Sequence, residues 1–148
     1  MSRTNEEAAF YRAALLLGLI RGEEVIRWAD EVIASDESAP PAFADIATTP
    51  PDDLTALRRR LFDAGGGVES QAVVRKVIGL IHRDLSSGRR GLQDTMTVLK
   101  QLRAFVAVDR ALNEHLKTLG VDMFVAAPGS QARTAAEQRV RDWLKQHE

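Results

Sequence analysis

The chain of 148 residues contains no cysteine. That excludes disulfides, thiolate metal sites and a cysteine nucleophile. It fits a reducing compartment such as the cytoplasm. Aromatic residues are few, with two tryptophans and one tyrosine. Stacking platforms of the kind that hold single-stranded nucleic acid are therefore not expected. The longest apolar run, Ala13 to Ile20, covers about eight residues, and a membrane span needs roughly twenty. The first residues, Met1 to Glu7, lack the basic and apolar regions of a signal peptide, and neither end carries a lipidation motif. These absences predict a soluble cytoplasmic protein with no membrane partner.

Net charge is −1, so no global field draws the chain to nucleic acid. The charge is unevenly divided, however. Residues 1–67 carry 7 Lys/Arg and 12 Asp/Glu, a net of −5, and residues 68–148 carry 13 and 9, a net of +4. A two-signed molecule has a preferred docking orientation; the simpler reading is ordinary surface charge.

What the sequence does have is helical periodicity. Thr4 and Glu7 have capping-box spacing. Ala9, Phe10, Ala13, Leu16, Leu17 and Ile20 then mark one helix face. A second helix is predicted from Glu23 to Ser35, and a short third from Ala42 to Ala47, with Pro41 in its first turn. Thr49-Pro50-Pro51-Asp52 opens a fourth, with Leu54, Leu57, Leu61 and Phe62 facing inward. Gly65-Gly66-Gly67 closes it and makes a flexible joint over 64–68. A fifth runs from Glu69 to Ser86, because eighteen valine-rich residues without alternation suit a helix better than a strand. After Gly88 and Gly91, a long helix is expected from Leu92 to Leu119, interrupted near Val108 and ended by Gly120. Val121 to Gly129 reads as an apolar loop or extended piece, and Ser130 to Gln146 as a last helix. The expected fold is a single all-α domain, 1–148, of about seven helices. Leu17-Gly18-Leu19-Ile20-Arg21 echoes Ile78-Gly79-Leu80-Ile81-His82-Arg83, which raises two related helical halves as an option.

Chemical motifs are scarce. His82-Arg83-Asp84-Leu85 matches the start of the protein-kinase catalytic loop, but Arg89 stands where its Asn belongs and no Asp-Phe-Gly follows. The Gly65–Gly67 run lacks the Gly-Lys-Ser/Thr ending of a phosphate loop. None of His82, His115 and His147 has a second histidine at i+3 or i+4, so spacing within helices predicts no metal site. No cofactor and no catalytic residue is expected.

The segment Leu17-Gly18-Leu19-Ile20-Arg21-Gly22-Glu23-Glu24-Val25-Ile26-Arg27-Trp28-Ala29-Asp30, followed by Pro40-Pro41, resembles the opening of an uncharacterised group of small all-helical bacterial proteins. The resemblance covers roughly residues 10–60 and brings no functional residues with it. It implies a bacterial cytoplasmic protein.

The expected role is a non-enzymatic protein–protein interaction module, of adaptor or immunity type, with homo-oligomerisation as an option. An enzyme or small-ligand binder with a pocket between helices is the alternative, and nucleic-acid binding comes third. Arg58, Arg59, Arg60, Arg89 and Arg90 are the candidate partner contacts, since guanidinium groups make planar, forked contacts. Three successive helical residues fan through about 200°, so Arg58 to Arg60 are not expected to form one flat patch.

Overall fold

The computed structural model describes residues 3–67, 70–105 and 107–148. Among them are eight α-helices and no strand, so the fold is all-α. By internal packing the chain divides into two compact units, Met1–Val73 and Val74–Glu148.

The first unit holds α1 (Arg3–Leu16), α2 (Gly22–Ser35), α3 (Pro41–Ala47), α4 (Leu54–Leu61) and a single π-helical turn, Phe62–Gly66. Its core gathers Ala8 and Leu15 from α1, Val25, Trp28 and Ala29 from α2, Phe43 and Ile46 from α3, and Leu57 and Leu61 from α4. Pro41 takes the first position of α3, where its missing N–H costs nothing. The Asp53 carboxylate caps α4 by accepting from the Ala56 amide at 3.1 Å. Three expectations fail here. The first helix ends at Leu16, which is exposed, so Leu17 and Ile20 do not extend its apolar face. Thr4 lies inside α1, so it cannot cap, and Glu7 is engaged elsewhere. Leu54 and Phe62 are exposed; the Arg12 guanidinium lies 5.5 Å from the Phe62 ring centroid, giving that outward ring a cation–π partner.

The second unit holds most of α5 (Gln71–Ser86), then α6 (Leu92–Leu102), α7 (Arg110–Val125) and α8 (Gln131–His147). Buried positions recur at helical spacing: Val74, Val77, Ile78 and Ile81 on α5, Val98, Leu99 and Leu102 on α6, Leu116, Leu119 and Met123 on α7, and Ala136, Val140, Trp143 and Leu144 on α8. Asp109 and Ser130 cap α7 and α8, accepting from Leu112 N at 2.8 Å and Arg133 N at 3.1 Å. The predicted long helix is thus two helices. Asp109 supplies the new start, and Arg103 Nε donates to Asn113 Oδ1 at 2.7 Å across the break.

Gly120 does not end α7, which continues through Val125. A helix end leaves carbonyls without intrahelical donors. Here Arg133 of α8 donates Nη1 to the Met123 carbonyl at 3.0 Å, and Arg139 pairs with Asp122 at 3.5 Å. Both cations suit the negative end of the helix dipole, so the extra turn is held from α8.

The sequence echo also resolves differently. Gly18 follows α1 with φ +72°, whereas Gly79 lies inside α5. The counterpart of Gly18 is Gly88, with φ +78°. Leu19 N donates to Ala14 O after α1, and Arg90 N donates to Asp84 O after α5, which are wrapped helix ends built on a left-handed glycine. Both lead, through three further residues, into the next helix. The two units share a helix–turn–helix opening rather than a sequence motif.

Candidate interaction surface

The last turn of α7 carries Val121, Phe124 and Val125. Positions i, i+3 and i+4 share a helix face, and this one points outward. Phe124 is 90% exposed, Val125 71% and Val121 51%. Met123, between them in sequence, is buried, so the turn buries one apolar side chain and presents an apolar stripe to solvent. Arg133 also pairs with Glu137 at 3.3 Å, which fixes the side chain that holds this turn. After α7, Ser130 Oγ donates to Ala127 O at 2.6 Å, closing the loop into α8. The stripe therefore sits on a well-supported turn. Burying a large apolar side chain against a partner gains about 1.5–3 kcal/mol, which is the stabilisation Phe124 leaves unused.

The five sequence-predicted arginines fall into different environments. Arg59 is exposed, and Arg58 and Arg60 are half-buried. Arg60 reaches Asp45 at 4.0 Å. Arg59 and Arg60 line an open surface depression with Asp53, Thr55, Ala56 and Asp63. Its mixed charge makes it neither a phosphate cradle nor an apolar ligand pocket. In the second unit Arg89 is exposed, but Arg90 is half-buried with Nε 3.8 Å from Asp84 Oδ2. Asp84 is only 3% exposed. Arg90 is thus the counter-charge of a buried carboxylate, and the pair Arg89-Arg90 is not one solvent-facing contact. The same burial turns the Asp of the kinase-like motif away from solvent.

A second cluster lies in the first unit. The Tyr11 ring stacks on Trp28 at 4.5 Å, and Trp28 meets Phe43 edge-on at 5.5 Å. Trp28 Nε1 donates to Glu7 Oε2 at 3.1 Å. Burial raises the Tyr11 phenol above its ordinary value, and Glu31, Glu7 and Glu24 raise it further. Each of these effects disfavours the phenolate.

The stripe on α7 is masked in the sequence by Gly120, a residue that commonly ends helices. A signal existed. Carried past Gly120, the helix would place Val121 and Phe124 in line with Glu114 and Lys117, a solvent-facing row. No group of three or more His, Asp or Glu able to hold a metal ion occurs among the described residues.

No protein-family model matches the chain, and no curated protein and no solved structure matches it. Among the described residues, no helix is long and apolar enough to cross a membrane.

Proposed function

We propose that the chain is a protein–protein interaction module whose anchor is the Val121–Phe124–Val125 stripe. The observation that carries this reading is the 90% exposure of Phe124 on a helical turn held by Arg133. Aromatic anchors surrounded by less critical contacts dominate the energetics of protein interfaces, and exposed apolar groups on a firm scaffold mark such sites. The exposed arginines Arg59 and Arg89 suit a rim role, where charge sets approach rate and salt sensitivity. An adaptor or immunity-type role, not catalysis, fits a surface of this kind. The absence of cysteine supports a cytoplasmic setting, and the resemblance over residues 10–60 supports a bacterial one.

The test is quantitative capture from lysate of the native host with parent and Phe124→Ser baits. Phe124→Ser should keep the parent's stability, because the ring packs on little. The account predicts one or more proteins held by the parent and lost from the variant. Identical captured sets would remove the stripe as the anchor. Retention of partners by Phe124→Ser with loss on Arg59→Glu would move the protein contact to the exposed Arg59 surface.

A further inference from the structure

Two of the chain's three histidines, far apart in sequence, meet between α7 and α8. The rings of His115 and His147 have centroids 6.4 Å apart, inclined at 70°. We propose that His115 and His147 form a two-imidazole site for a divalent first-row transition ion, with zinc as its representative, that clamps α7 to α8. The tautomer is already set on one side. His147 Nδ1 lies 2.8 Å from the Trp143 carbonyl oxygen, and only a protonated Nδ1 can donate there. Its Nε2 then carries the lone pair. A backbone carbonyl on the second ring nitrogen is the usual way a ligating histidine is oriented. Stacking on Trp143, at 4.5 Å and 24°, fixes the plane of the ring. His115 is exposed, so its ring is able to turn toward the ion. With metal–nitrogen bonds of about 2.0–2.1 Å, two imidazoles on a tetrahedral ion have centroids roughly 5 Å apart. The rings must therefore close by about 1 Å, a movement a side-chain rotation of His115 supplies.

The ring contact is between His115 and His147; His82 makes a separate contact, its Nδ1 2.7 Å from Glu148 Oε2, and serves as the control. Glu114 follows a different direction around α7 from His115. With two protein ligands the remaining positions belong to water, so the site is open and exchangeable rather than a closed structural one. Imidazole donors suit zinc, nickel and copper, with copper the tightest by intrinsic order. Spacing along one helix gave no hint of this site, because its two ligands come from different helices.

The experiment is calorimetric titration of the full chain with zinc, beside melting curves with and without the ion. Parent, His115→Gln, His147→Gln and His82→Gln are compared, with helical content checked by circular dichroism. One zinc per chain is expected in the parent, with a raised melting midpoint, since an ion that binds only the folded state stabilises it. His115→Gln and His147→Gln should each weaken binding about tenfold or more and abolish the shift in midpoint, while His82→Gln behaves as the parent. If His147→Gln does not fold, the exposed His115→Gln decides alone. Absence of binding, binding that survives His115→Gln, or one zinc per two chains would overturn the proposal.

Discussion

The indole Nε1 of Trp28 donates to the Glu7 carboxylate at 3.1 Å, which ties α1 to α2 across the core of the first unit. The bond satisfies the polar atom of an otherwise buried side chain, and so lets Trp28 fill the space between Tyr11 and Phe43. Trp28→Ala should cost about 3–5 kcal/mol, as large core aromatics do. Glu7→Gln keeps an acceptor of the same size and should cost on the order of 1 kcal/mol. Urea unfolding of the two variants checks both the size and the order; equal losses would show that the ring's packing is not the main contribution.

Tyr11 is the chain's one tyrosine, so its titration can be read directly from phenolate absorbance. Burial and the nearby Glu31, Glu7 and Glu24 raise it above the ordinary 10.0. The folded state thus holds this proton more tightly than the unfolded state. The stability linked to it is fully present below pH 10.0 and is lost as pH rises through the folded value. Glu31→Gln should lower the midpoint but leave it above 10.0, because burial is the larger cause. A midpoint at or below 10.0 in the parent would contradict the packing of Tyr11 on Trp28.

Arg89 and Arg90 are neighbours with separate jobs. Arg90→Ala leaves the buried Asp84 without its counter-charge and should cost about 3 kcal/mol. Arg89→Glu, at an exposed position, should change stability by no more than about 0.5 kcal/mol. Reversing both arginines would mix a folding effect with a binding effect, so Arg89→Glu alone tests the rim. The expected result is slower association with the captured partner at low salt, with an unchanged fold; equal on-rates would confine the interface to the apolar stripe.

Helix content was legible because buried residues recur at i, i+3 and i+4 in nearly every segment, as Val74, Val77, Ile78 and Ile81 do in α5. What periodicity could not show was anything decided by a partner in another helix. Arg133 supports the turn of α7 beyond Gly120 by donating to the Met123 carbonyl. Phe62 sits on an apolar spacing yet turns outward, where Arg12 covers it. Arg90 is bound to Asp84 six positions earlier because the wrapped helix end at Gly88 folds it back. The likeness of Leu17–Arg21 to residues 78–83 failed because a glycine inside a helix and a glycine at positive φ read the same in sequence. Gly22 shows the limit from another side. It opens α2 and looks like punctuation, but a Cβ there would overlap the Pro51 carbonyl oxygen. Its smallness serves a close approach of the loop before α4, which only the fold reveals.

The proposed contact of Phe124 with a partner protein is measured directly by site-specific photo-crosslinking in the native host. A photoreactive phenylalanine analogue is placed at position 124, and in parallel at the exposed positions Gln138 and Lys145 of α8. The account predicts a discrete crosslinked adduct from position 124, of a mass that identifies either another protein or a second copy of this chain, and none from the two control positions. Adducts from the control positions with none from position 124, or no adduct from any of the three, would contradict it.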